Sequence, residues 1–128
     1  MPGLTVVNTG NRGGVALASA ARTATTSSDW IENTGCRGVL VVLDVTAGSS
    51  LSLTLSIQAY DPASGKAVTL ATATTAVTGV STNSYLLYAG SNAGLTVTLG
   101  VLPNVFRISV THTNANSATY SVGYSLIP

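Results

Sequence analysis

From Leu51 to Tyr60 the chain reads Leu-Ser-Leu-Thr-Leu-Ser-Ile-Gln-Ala-Tyr. Leu51, Leu53, Leu55, Ile57 and Ala59 fall on one side of a period-two repeat, and Ser52, Thr54, Ser56 and Gln58 on the other. That period belongs to a strand with one buried face; a helix would scatter the same leucines around its circumference. Upstream, Gly38-Val-Leu-Val-Val-Leu-Asp-Val45 is apolar at every position from Val39 to Leu43. It is rich in β-branched residues and is expected to be a central strand covered on both faces.

Turn chemistry separates further strands. Asp61-Pro-Ala-Ser-Gly65 suits a type I turn, so Lys66 to Thr72 is expected to return beside the 51–60 strand as a hairpin. Ser84 to Tyr88 and Leu95 to Leu99 are short strands. Phe106, Ile108, Val110 and His112 share one strand face, and Tyr120, Val122, Tyr124 and Leu126 another. With Asn114 to Ser117 between them, residues 105–113 and 118–127 read as an antiparallel hairpin. The Ala/Thr-rich stretch from Val15 to Thr26 pits helix against strand propensity. A strand over 18–26 is expected, with 15–17 open. Residues 1–14, with Pro2, Gly3, Gly10, Gly13 and Gly14, read as an extended N-terminal arm hinged at its glycines. Residues 15–128 form a single domain. The expected class is all-β: an antiparallel β-sandwich or barrel, jelly-roll or Ig-like, of seven or eight short strands.

Composition constrains the exterior of such a domain. Five Lys/Arg and four Asp/Glu occur in 128 residues, giving a net charge of +1. Soluble domains usually carry charges of both signs outside, and a net charge near zero favours association. The chain is therefore expected to be covered by other subunits, copies of itself included. Arg12, Arg22, Arg37, Lys66 and Arg107 are scattered, without the basic stripe that nucleic acid requires. No apolar run reaches the length of a membrane helix. No secretory leader is visible, and the single cysteine, Cys36, allows no intrachain disulfide. A cytoplasmic site of synthesis follows as an expectation.

The residues that bear chemistry are few. His112 is the sole histidine, and without a Gly-x-Ser-x-Gly elbow it reads as a half-buried strand-end residue rather than a general base. Cys36, between Gly35 and Arg37, reads as an inert small side chain rather than an activated thiol. Asp29 and Glu32 are the only acids close in sequence, too little for a metal site or a glycosidase pair. Asp44 interrupts an apolar strand and is expected to pair with an arginine or the backbone. Trp30 is either a plug closing one end of the sandwich, an anchor at a partner interface or a stacking platform for sugar. No catalytic residue, metal ligand, cofactor or small-molecule substrate is expected, and the chain reads as a structural or binding protein rather than an enzyme.

Several segments carry a likeness. They are Ala20-Ala-Arg-Thr-Ala-Thr25, Arg37-Gly-Val39 leading into Val41-Val-Leu-Asp-Val-Thr46, Gln58-Ala-Tyr-Asp-Pro-Ala-Ser-Gly-Lys66, Phe106-Arg-Ile-Ser-Val-Thr-His112 and Thr119-Tyr-Ser-Val-Gly-Tyr124. In these the chain, from Ala20 to Pro128, resembles small structural proteins of tailed-bacteriophage virions, in particular head decoration (cement) proteins or minor tail components. The resemblance implies a virion location on the capsid surface, the major capsid protein as partner, and no catalytic residues. Leu4, Val6, Val7 and Arg12 in the arm, and Trp30, are the expected partner contacts, the arm adding a strand to a neighbour's sheet edge. A carbohydrate-binding module is the remaining alternative.

Overall fold

The strand patterns above resolve into two antiparallel sheets in a computed structural model that describes residues 12–33 and 35–128. Ten strands follow one another: β1 (Arg12–Arg22), β2 (Thr26–Ser27), β3 (Ile31–Glu32), β4 (Gly38–Gly48), β5 (Leu53–Tyr60), β6 (Ala67–Ala73), β7 (Ser81–Leu87), β8 (Leu95–Val97), β9 (Val105–His112) and β10 (Ala118–Ile127). The first sheet has the order β1-β10-β4-β7; the second runs β2-β9-β5-β6-β8, with β3 also on β9. The all-β sandwich is as expected, and two of the strands beyond seven or eight are the two-residue β2 and β3.

The alternating segment forms β5 and pairs with β6 as the hairpin its turn requires. Asp61 holds that turn: its carboxylate accepts from the Ala63 N–H (3.1 Å) and the Ser64 hydroxyl (2.6 Å). These bonds, Ser64 first, lower its pKa from the usual carboxylate value. Leu53, Leu55 and Ile57 of β5 meet Val39, Val41, Leu43 and Val45 of β4, Phe106, Ile108 and Val110 of β9, and Tyr120 and Val122 of β10 in one core. Each such side chain contributes roughly 1.5–3 kcal/mol relative to exposure.

Four expectations need correction. The 105–127 hairpin does not form: β9 pairs with β5 in one sheet and β10 with β1 and β4 in the other. The apolar faces of β9 and β10 face each other across the core instead of lying side by side, which buries both against more surface than a two-stranded ribbon offers. Residues 113–117 thus cross from sheet to sheet, as residues 49–52 do between β4 and β5. The Asn114 and Asn116 amides both donate to the Ser50 carbonyl (3.0 and 2.8 Å), tying the two crossings together.

Second, β4 is central in its sheet but covered on one face only: Val39, Val41, Leu43 and Val45 are at most 1 % exposed, whereas Leu40 is 36 % exposed. Third, the strand expected over 18–26 with 15–17 open runs instead from Arg12 to Arg22, the length over which it pairs with β10. Fourth, residues 12–14, assigned to the arm, are therefore strand, and Gly13 and Gly14 are not a hinge. A Cβ on Gly14 would lie 2.9 Å from the Tyr124 hydroxyl, so the glycine admits the close passage of that ring.

Edges are short or broken. β1 carries register shifts between Val15 and Leu17 and between Leu17 and Ala20. There Arg22 folds back to donate to the carbonyls of Ala18 (2.6 Å) and Tyr120 (2.8 Å). At the other side Leu86 and Ala93 exchange two hydrogen bonds outside the strands proper (2.9 and 3.0 Å). Such devices block indiscriminate edge pairing.

Gly48 closes β4 at φ 137°, where a Cβ would meet the Ser117 carbonyl at 2.8 Å. Gly48→Ala is expected to cost about 2 kcal/mol or more, read as a lower midpoint in urea unfolding; an unchanged midpoint would mean that the two crossings are not packed as described.

Candidate interaction surface

Trp30 sits in the three-residue gap between β2 and β3, and β9 holds the chain on both sides of it. Before it, Ser28 exchanges bonds with Ile108: its N–H donates to the Ile108 carbonyl (2.8 Å) and its Oγ accepts from the Ile108 N–H (3.0 Å). After it, Ile31 pairs with Phe106. The indole is half-buried. It packs edge-on to Tyr60, with centroids 4.9 Å apart at 65°, and the Arg107 guanidinium lies 4.7 Å from its centroid. The β5–β9 register sets Arg107 opposite Gln58, and Arg107 Nε donates to Gln58 Oε1 at 2.7 Å. A cation against an indole contributes about 0.5–2 kcal/mol, according to its exposure.

Beside this cluster, a shallow groove of about 330 Å³ runs between the sheets. Gly13, Trp30, Ile31, Glu32, Tyr124 and Leu126 line it. Of the expected contacts, Trp30 is here, and Arg12 is the first residue of β1, opposite Leu126. Leu4, Val6 and Val7 lie outside the described residues. Sequence reasoning missed Tyr60, Arg107 and Gln58 as a set. Gln58 and Tyr60 share the polar parity of the 51–60 repeat, a signal that was present; Arg107 joins them only through a strand pairing that no local pattern reveals.

The other candidate groups are placed as follows. His112 Nε2 and the Tyr120 hydroxyl are 2.8 Å apart, and Arg22 Cζ lies 4.8 Å from the Tyr120 ring centroid. Tyr120 is fully buried, and His112 Nδ1 is buried without a hydrogen-bond partner among the described residues. Burial, with the Arg22 charge second, lowers the His112 pKa from its usual value. The unfolded chain therefore takes up this proton first. Stability is full above about pH 6.5 and falls as the pH drops below it toward the folded-state pKa. A melting series between about pH 7 and pH 5 is expected to slope downward for the wild type and to lie flatter for His112→Gln; equal slopes would refute the assignment.

Cys36 is buried beside Asn33, whose Oδ1 accepts the Cys36 N–H and whose Nδ2 donates to the Cys36 carbonyl, both at 2.8 Å. Among the described residues Asp44 pairs with neither an arginine nor the backbone: its carboxylate accepts from the Thr82 hydroxyl at 2.9 Å, on the outer face of the first sheet. No group of three or more His, Cys, Asp or Glu able to hold a metal occurs among the described residues.

No protein-family model matches the chain, and neither does any curated protein sequence. Among solved structures, a chain in the structure of infectious bursal disease virus, Gx strain, matches with a TM-score of 0.52 at 10 % identity. The match covers 98 % of this chain and 36 % of that one. At that identity the likeness is one of fold.

Proposed function

We propose that the protein is a structural component of a virus particle, where neighbouring subunits cover much of its surface. One observation carries the reading: a sandwich that matches a virus chain over 98 % of its length is built from a sequence with only nine charged side chains. Hydroxyl and small apolar side chains fill its outer faces. On the first sheet, Leu40, Val42 and Asp44 of β4 stand beside Ser121, Gly123 and Ser125 of β10 and Thr82, Ser84 and Leu86 of β7. Such a surface suits packing against other protein more than solitary life in water. The reading assigns no reaction to the chain.

More finely, the protein is proposed to decorate a tailed-phage head, binding the major capsid protein and copies of itself and strengthening the shell by added buried area. The arm contributes in this reading. Removing residues 2–11 leaves β1 whole and is expected to reduce occupancy when particles stripped of the protein are refilled; undiminished occupancy removes Leu4, Val6 and Val7 from the contact. A tail component is the neighbouring possibility, separated from the first by where on the particle the protein sits. A carbohydrate-binding module draws support from the Trp30–Tyr60 pair, although Arg107 covers part of the indole. Binding on a glycan array would favour it.

A further inference from the structure

We infer that the Trp30–Tyr60–Arg107 surface is where two copies of the chain meet about a two-fold axis, Asp29 of each copy pairing with Arg107 of the other. The inference rests on the reading that copies of the chain assemble, and it names the surface through which they do.

Three observations converge. First, the cluster joins the three residue types that dominate interface energetics, tryptophan, tyrosine and arginine. Tyr60 is 37 % exposed although it ends a strand whose other aromatic neighbour, Trp30, is half-buried. Second, Arg107 is held ready. Its Nε is bonded to Gln58 and its plane rests near the indole, while among the described residues neither Nη group has an acceptor. A guanidinium fixed in this way loses little freedom on gripping a carboxylate with its two remaining nitrogens. Third, the surface carries its own complement. Asp29 is exposed and next to Trp30 in the chain; among the described residues its carboxylate has no partner, and no ion pair joins it to Arg107.

A two-fold contact requires a patch complementary to itself, with residue i on j and j on i. An unpaired acid and an unpaired base around one aromatic pair meet that requirement, each copy supplying what the other lacks. A stable contact needs about 800 Å² per copy. The outer face of the second sheet continues the patch with uncharged Thr54, Thr69 and Thr111, a surface that a partner can cover without burying a lone charge.

Sedimentation velocity on the purified chain, from about 1 to about 200 µM, tests this, since specific homodimers of modest affinity fall in that range. The wild type is expected to pass from monomer to dimer. Trp30→Ala is expected to raise the dimer Kd at least about tenfold. Asp29→Arg and Arg107→Asp each weaken the dimer, and the double reversal restores it toward the wild type. Among the described residues the Asp29 side chain bonds nothing, so Asp29→Arg is expected to leave folding intact; melting curves check all the variants. A wild type that stays monomeric throughout overturns the contact, whether or not the protein occupies particles, which is read separately. A dimer indifferent to Asp29→Arg and Trp30→Ala overturns this surface while self-assembly stands. A double reversal as weak as the singles overturns the Asp29–Arg107 pairing, and so does binding of a glycan by the monomer at the same residues.

Discussion

Phe106→Ala is expected to lower the unfolding free energy by about 4 kcal/mol, near the top of what one side chain contributes. Phe106 is fully buried, meets Tyr124 edge-to-face with centroids 6.4 Å apart, and pairs across the sheet with both Ala59 and Ile31. Truncation removes the ring from the middle of the core, and the paired strands on both sides restrict collapse into the gap. The loss also reaches the surface, because Ile31 and the Trp30 before it take their position from β9. Urea unfolding should show the lower midpoint, and the folded variant should emit indole fluorescence at longer wavelength. A loss below about 1 kcal/mol, the typical cost of an ordinary substitution, would mean that Phe106 does not hold the centre of the core.

Asn33→Ala is expected to cost about 3 kcal/mol, a large value for one polar side chain. Asn33 is only 5 % exposed. Its amide satisfies the Cys36 N–H and carbonyl at 2.8 Å and donates to the Pro103 carbonyl at 3.2 Å, while its own N–H donates to the Asn104 carbonyl at 2.6 Å. It fastens the loop before β4 to the loop before β9. Alanine would strand buried backbone groups that water reaches poorly, and their desolvation dominates the loss. Asn104→Ala, at an exposed position of the same junction, should stay within about 0.5 kcal/mol. Thermal or urea unfolding of the two variants side by side separates a true clamp from a loop that relaxes.

These two residues also mark what the amino-acid order discloses. Phe106 is legible as core, because the alternation that puts it beside Ile108 and Val110 needs only a period of two. What β9 pairs with is not legible. Its apolar face fits β10 as a hairpin neighbour or β5 as a sheet neighbour equally well, and the choice is made by burial across the whole sandwich. That single ambiguity hid the surface as well: Trp30, Tyr60 and Gln58 are each readable, yet Arg107 meets them only once β9 lies against β5. Asn33 carried no signal, since a buried amide clamp is defined by carbonyls distant in the chain. For the alanine-rich β1 the strand is legible and its bounds are not, because a partner strand more than ninety residues away sets them.

On the proposed reading this sandwich belongs to a virus particle and is covered there by its neighbours. Gold-labelled antibody against the protein, applied to gradient-purified particles from an infected culture and imaged by electron microscopy, tests it most directly. The expected result is label on the particles at regular positions over the head. Label confined to soluble fractions, with bare particles from the same culture, would contradict it.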